Sequence, residues 1–175
     1  IKVSDKQCED FKTMIYKPLD NYTVGRNEIT GGTVSPSYIS PIQGLQRLQK
    51  IMDEYVGGIT SNYMTNGNML KRGLELLEWL QEDLEKVGAE DYHQLMRAWE
   101  LKHRTVTSQC VTEHTLYRKE TRWPGYYYRG DHMKLDDENW HCLTVSRRDP
   151  ETGKFTLEKK PVYHIVDDKE KKKAS

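Results

Sequence analysis

The chain has 175 residues, 35% hydrophobic and 31% charged, with 27 lysines and arginines balanced by 27 aspartates and glutamates. That length suits one domain, with or without irregular arms, and the composition suits a modest core under a charged surface. Zero net charge without a long basic stripe argues against a nucleic-acid binder, and no run approaches the roughly 18 apolar residues of a membrane span.

No basic stretch followed by an apolar run marks a secretory leader after Ile1. Cys8, Cys110 and Cys142 are too widely spaced for a disulfide framework or a CxxC pair. They suit a reducing, cytoplasmic compartment. Residues 1–40 read as an extended arm with a short helix over 6–16, which Pro18 is expected to stop. The stretch 21–40 is rich in Gly, Thr, Ser, Asn and Pro, so it is expected to lie against another domain or subunit.

Three helical segments follow. Ser40 can cap the first, with Pro41 at its first position and Gln43 completing a capping box. Ile42, Leu45, Leu48, Met52 and Tyr55 then form one stripe, and Gly57-Gly58 ends it, giving a helix over about 42–57. Leu70, Leu74, Leu77, Leu80, Leu84 and Val87 predict a second over about 68–87, with Gly88 as its stop. Asp91, with Gln94 three residues on, opens a third over about 91–118, carrying Tyr92, Leu95, Trp99, Val106, Cys110 and Tyr117 on one face. At 1.5 Å per residue it is about 40 Å long.

Beyond it, residues 142–147 and 154–159 alternate apolar with polar around Asp149-Pro150-Glu151-Thr152-Gly153, a β-hairpin pattern. The expected fold is mainly α: a three-helix bundle (41–120), an extended N-terminal arm (1–40), an aromatic loop with a C-terminal β-hairpin (121–166), and a charged tail (167–175).

Signals for self-contained chemistry are weak. Neither GxGxxG nor GxxxxGK[ST] occurs, so this stretch alone is not expected to bind a dinucleotide. His103 and His114 share a helix face but stand about 16 Å apart, too far for one ion. His132, His141 and Cys142 could meet only in a folded loop. Cys110 reads as a small buried hydrophobe. Asp136-Asp137-Glu138 reads either as a helix cap or as an acid–base pair.

The distinctive segment is Glu120-Thr121-Arg122-Trp123-Pro124-Gly125-Tyr126-Tyr127-Tyr128-Arg129-Gly130-Asp131, in which two arginines bracket four aromatics. Arginine forks onto anions and stacks on rings. The block is either an internal latch between helices and hairpin or a surface for an anionic ligand, a cofactor or a partner.

Four stations of this region resemble the C-terminal domain of the succinate dehydrogenase and fumarate reductase flavoproteins. They are Glu120-Thr121-Arg122, Arg129-Gly130-Asp131, Asp136-Asp137-Glu138-Asn139-Trp140 and Thr152-Gly153-Lys154. The form Glu-Thr-Arg-Trp-Pro-Gly-Tyr-Tyr-Tyr-Arg, together with the run from Gln46 to Tyr55, resembles the α subunits of dissimilatory adenylylsulfate (APS) reductases. Trp123-Pro124 stands where the broader family has small residues.

The resemblance implies FAD in the whole subunit, upstream flavin and capping domains, and an iron–sulfur β subunit carrying [4Fe–4S] clusters. It implies reduction of adenylylsulfate to sulfite and AMP. It places no catalytic, cofactor-binding or metal residue in this stretch. Arg122, Trp123, Tyr126, Tyr127 and Arg129 are the expected contact with the rest of the enzyme, or lie near its active site. The alternative is a non-enzymatic helical interaction module.

Overall fold

The structure is a computed structural model that describes residues 2–25, 38–123 and 127–163. Among these the chain is mostly helical and carries one antiparallel hairpin. Residues 26–37 of the expected arm and the charged tail (167–175) lie outside the described residues.

Local chemistry starts each long helix. The Ser40 side chain accepts from the Gln43 N–H while Gln43 returns to the Ser40 N–H, a closed capping box that opens α2 (Pro41–Tyr55). Asn66 accepts from the N–H groups of Asn68 and Met69, both at 3.0 Å, and opens α3 (Gly67–Asp83). Asp91 accepts from the Gln94 N–H at 2.7 Å and opens α4 (Tyr92–Tyr117).

The second helix was expected to reach residue 87. It stops at Asp83, tightens into a 3-10 turn over Leu84–Lys86, and leaves Val87 extended. The reason is tertiary: the Ile39 N–H donates to the Lys86 carbonyl and the Gly88 N–H to the Ile39 carbonyl, so residues 86–88 pair with the strand-like entry to α2. β1 (Met64–Thr65) lies between α2 and α3.

Helices α2, α3 and α4 each pack against the other two. The shared core joins Leu48 and Ile51 of α2, Leu77 and Leu80 of α3, Leu84, Val87, and Ala98 and Leu101 of α4. Each fully buried leucine stabilises by about 1.5–3 kcal/mol relative to an exposed one. Gly44 lets α2 approach α4, since a Cβ there would lie 2.5 Å from Leu101 Cδ2 and 3.3 Å from Leu84 Cδ2.

The buried line of α4 differs from the expected stripe. It runs through Leu95, Ala98, Leu101, Thr105 and Thr112, while Tyr92 is exposed. The two threonines escape an apolar search, yet they bury without penalty because their hydroxyls donate back to the Leu101 and Ser108 carbonyls. Trp99 and Cys110 serve a second set of partners, namely the N-terminal helix and the hairpin: Trp99 donates to Ile15 and Cys110 Sγ lies 3.5 Å from Ser146 Oγ.

The N-terminal expectation is corrected. In place of an arm with a helix ending before Pro18, α1 runs over Asp5–Gly25 with Pro18 inside it. A proline costs about 3 kcal/mol in a free helix. Here tertiary hydrogen bonds take up its surroundings. The Trp99 indole N–H donates to the Ile15 carbonyl at 2.9 Å, the Ala89 N–H donates to the Pro18 carbonyl at 2.7 Å, and the Asn21 amide reaches the Glu85 and Val87 carbonyls. Pro18 itself is buried.

After α4 come β2 (Tyr128–Arg129), the short α5 (Asp137–Trp140), and the hairpin of β3 (Cys142–Arg148) and β4 (Phe155–Pro161). β1 and β2 pair in parallel; β3 and β4 pair antiparallel, with Val145 opposite Glu158. In the hairpin turn Asp149 accepts from the Glu151 and Thr152 N–H groups, and Gly153 takes a φ of 70°.

The packing predicts that Leu77→Ala, at a side chain with no exposed surface, lowers the unfolding free energy by about 2–5 kcal/mol in denaturant titration.

Candidate functional site

Residues 118–131 leave the end of α4 and double back so that β2 pairs with β1, just ahead of α3. The Tyr128 N–H donates to the Tyr63 carbonyl at 2.8 Å and the Gly130 N–H to the Thr65 carbonyl at 2.7 Å. This return places Arg129, 2% exposed, in the gap between the C-terminus of α4 and the N-terminus of α3. A helix end leaves its last carbonyls without intrahelical donors. Arg129 supplies them, donating to the carbonyls of Thr115, Leu116 and Arg118.

The same guanidinium forks onto Asp131, with both N–O distances at 3.0 Å. Asp131 in turn accepts from the Gly67 N–H at 2.8 Å, a free donor of the first turn of α3. Cation and anion thus each meet the helix end whose dipole favours them. The Arg129 hydrogen bonds hold the Asp131 carboxyl at about 2.

A second knot surrounds Glu120, whose side chain has no exposed surface. It accepts from Arg122 Nε at 2.7 Å and Nη2 at 3.0 Å, from Arg118 Nη1, and from the Asp136 N–H at 3.1 Å. Burial pushes this carboxyl up, but the hydrogen bonds from Arg122, Arg118 and Asp136 win and hold it below its ordinary value. Arg118 continues to the Trp140 and Cys142 carbonyls, both at 2.9 Å, and so fastens the hairpin to α4. Arg122 also pairs with Asp137 at 3.0 Å. Thr121 donates to the His132 carbonyl and accepts from the Arg129 N–H, tying the two knots together.

The expected contact residues therefore separate. Arg129 faces inward, Arg122 is mostly engaged with Glu120 and Asp137, and Trp123 is 70% exposed. Tyr126 lies outside the described residues. Tyr127 packs on Gly57, where a Cβ would come within 2.7 Å of the ring. Burial pushes its phenol up to about 12. Its hydroxyl is buried beside Thr115.

The segment facing Tyr127 gave no sequence signal beyond its glycine pair. Gly57, Asn62 and Tyr63 have φ of 94°, 51° and 59°. A left-handed tyrosine is strained by about 1–3 kcal/mol. The turn is held by Asp53, whose carboxylate accepts from the Thr60 N–H at 3.1 Å and from the Thr60 hydroxyl, and by the Tyr128 N–H on the Tyr63 carbonyl. The Thr60 hydrogen bonds hold Asp53 below the usual carboxylate range.

These residues do not fit a dinucleotide. Gly57 and Gly58 are taken up by Tyr127 and Asp53, and neither opens a helix toward a phosphate. Among the described residues no three His, Cys, Asp or Glu side chains converge as metal ligands. Of the two readings of Asp136, the cap is the one seen: it accepts from the Asn139 N–H at 3.1 Å and starts α5.

The latch predicts a sign for acid sensitivity. Asp131 titrates near 2 against an ordinary 3.8, so its contribution is complete above about pH 4 and is lost as pH falls toward 2. Asp131→Asn is expected to flatten that part of the stability profile, followed as denaturant midpoint against pH. Arg129→Lys cannot reproduce the fork and is expected to cost about 3 kcal/mol or more at neutral pH.

Residues 45–172 match the family described as the fumarate reductase flavoprotein C-terminus. The adenylylsulfate reductase α subunit of Megalodesulfovibrio gigas is 42% identical over 159 residues, which are 91% of this chain and 24% of that protein. An uncharacterised FAD-dependent oxidoreductase of Methanocaldococcus jannaschii is 31% identical over 94 residues, 54% of this chain and 16% of that protein. The adenylylsulfate reductase of Archaeoglobus fulgidus superposes with a TM-score of 0.89 at 48% identity, over 94% of this chain and 26% of that one. The quinol fumarate reductase of E. coli shares the fold at a TM-score of 0.68 and 18% identity, over 93% and 26%. This chain spans about a quarter of the length of the first two reductases named. It belongs to the fumarate reductase flavoprotein C-terminal family.

Proposed function

We propose that the chain is the C-terminal helical part of the α subunit of an FAD-dependent adenylylsulfate reductase, the enzyme that reduces adenylylsulfate to sulfite and AMP. The observation that carries this reading is the likeness to the A. fulgidus reductase, 48% identity at a TM-score of 0.89, against 18% and 0.68 for the fumarate enzyme. FAD belongs in this reading to upstream flavin and capping domains, since the described residues offer no phosphate cradle. Electrons reach it from an iron–sulfur β subunit with [4Fe–4S] clusters, in the cytoplasm.

The chain's own task is then to pack on those domains or on the β subunit. The helical unit (41–120) is the platform, and the loop of 121–131 is the contact. Within that contact Trp123, Tyr126 and Tyr127 supply the rings. Arg122 and Arg129 act from behind, by holding the loop. An exposed tryptophan beside an ordered latch fits an interface anchor better than free surface.

Two measurements test the proposal. Absorbance of the complete native enzyme is expected to show flavin bands over broad iron–sulfur absorption; their absence favours a non-enzymatic interaction module. Trp123→Ala in the complete enzyme is expected to weaken association or activity, with a loss of about 2 kcal/mol at the contact, while the melting of this domain stays nearly unchanged. Early melting with normal assembly of the folded fraction points instead to a purely internal role.

A further inference from the structure

Asn66 and Gly67, at the junction of β1 and α3, are the chain's one Asn-Gly pair. Asn-Gly is the dipeptide at which a backbone nitrogen most readily attacks a side-chain amide, because glycine has no Cβ to shield that nitrogen or restrict its dihedrals. The fold demands both residues here. Asn66 caps α3, its Oδ1 accepting from the Asn68 and Met69 N–H groups at 3.0 Å. Gly67 gives Asp131 room, since a Cβ there would lie 3.1 Å from Asp131 Oδ2.

We propose that Asn66-Gly67 is a deamidation site that the Arg129–Asp131 latch holds shut. In the reaction the Gly67 nitrogen bonds to Asn66 Cγ and the Cγ–Nδ2 bond breaks. Ammonia leaves, carrying the proton that the Gly67 nitrogen gives up, and a succinimide ring remains. Water then opens the ring at either carbonyl and leaves aspartate or isoaspartate. No other reagent is consumed.

The geometry treats the two reacting groups differently. The electrophile is primed: negative charge developing on Asn66 Oδ1 falls on two N–H donors at the positive end of α3, as in an oxyanion hole. The nucleophile is masked. The Gly67 N–H donates to Asp131 Oδ2 at 2.8 Å, and an amide must shed that proton before it attacks. A carboxylate on the proton opposes its loss and repels the amide anion that would remain. Asp131 is fixed in turn by the fork of the buried Arg129, so the mask opens only with the latch. Asn66 is only half-buried, so water and hydroxide reach it from solvent. An isoaspartate would lengthen the backbone by a methylene beside Thr65, whose register with Arg129 the β1–β2 pair needs. A latch that stays open long enough to react therefore does not close again in the same register.

Deamidation kinetics in the complete protein that carries this chain test the assignment. The peptide containing residue 66 is followed at mildly alkaline pH for isoaspartate and for the amide-to-acid mass change. Asp131→Ala is expected to speed the reaction at least about tenfold, as loss of a hydrogen bond to a charged group implies. Asp131→Asn keeps an acceptor without the charge, and its rate is expected to fall between. Leu77→Ala loosens the core but leaves the mask in place, so it separates the local contact from global unfolding; it is expected to change the rate far less than Asp131→Ala. Equal rates for the unsubstituted protein and both Asp131 variants overturn the proposal. Acceleration by Leu77→Ala that matches Asp131→Ala overturns it too, as does an unsubstituted rate equal to that of the chain unfolded in denaturant. Should Asp131→Ala fail to fold, the rate of Asp131→Asn against the unsubstituted protein decides: faster supports the mask, equal overturns it.

Discussion

The architecture around the candidate contact depends on one buried guanidinium. Taking a charge out of water is costly, and a buried ion pair repays that cost only when its remaining hydrogen bonds are filled. Arg129 meets the condition through geometry that lysine lacks: a planar fork that serves Asp131 on one side and three main-chain carbonyls on the other. Those carbonyls end α4, and Asp131 begins α3 through the Gly67 N–H. The interaction thus sets where one helix stops, at Tyr117, relative to where another starts, at Gly67.

The course of the chain after α4 follows from that arrangement. With Arg129 seated, β2 must lie on β1, and the Tyr128 N–H captures the Tyr63 carbonyl. This capture, with the Asp53 bonds to Thr60, holds Asn62 and Tyr63 in the left-handed region. The Glu120 knot closes the other end of the loop and ties it to the hairpin through Arg118. Between the two knots, Trp123 faces water and Tyr127 covers Gly57. The two knots thus fix the chain on either side of an exposed tryptophan.

The division of labour within the aromatic block also explains why residue type alone could not sort it. Arginine and aromatic side chains build both internal latches and interfaces, because the same fork and the same ring faces serve either. Burial decides between them. Arg129 and Trp123, six positions apart, end at 2% and 70% exposure.

What the sequence determined by itself was local. Ser40, Pro41 and Gln43 announce the start of α2, Asp91 and Gln94 that of α4, and Asp149 with Gly153 the hairpin turn, because a cap or turn is satisfied by groups within about four residues. The leucines of α3 announce its buried face for the same reason, and the motif from Glu120 to Asp131 announced the family. Tertiary structure decided the rest. Pro18 reads locally as a stop, yet α1 continues through it, its neighbouring carbonyls taken by donors from Trp99 and Ala89. Thr105 and Thr112 add nothing to an apolar stripe, yet they are fully buried, their hydroxyl protons taken by their own helix. The strained turn at Asn62 and Tyr63 carries no local signal, since what holds it is a strand that arrives from residue 128. A side chain's donors and acceptors are written in the sequence; the partners that satisfy them are brought by packing, which joins segments that sequence distance keeps apart.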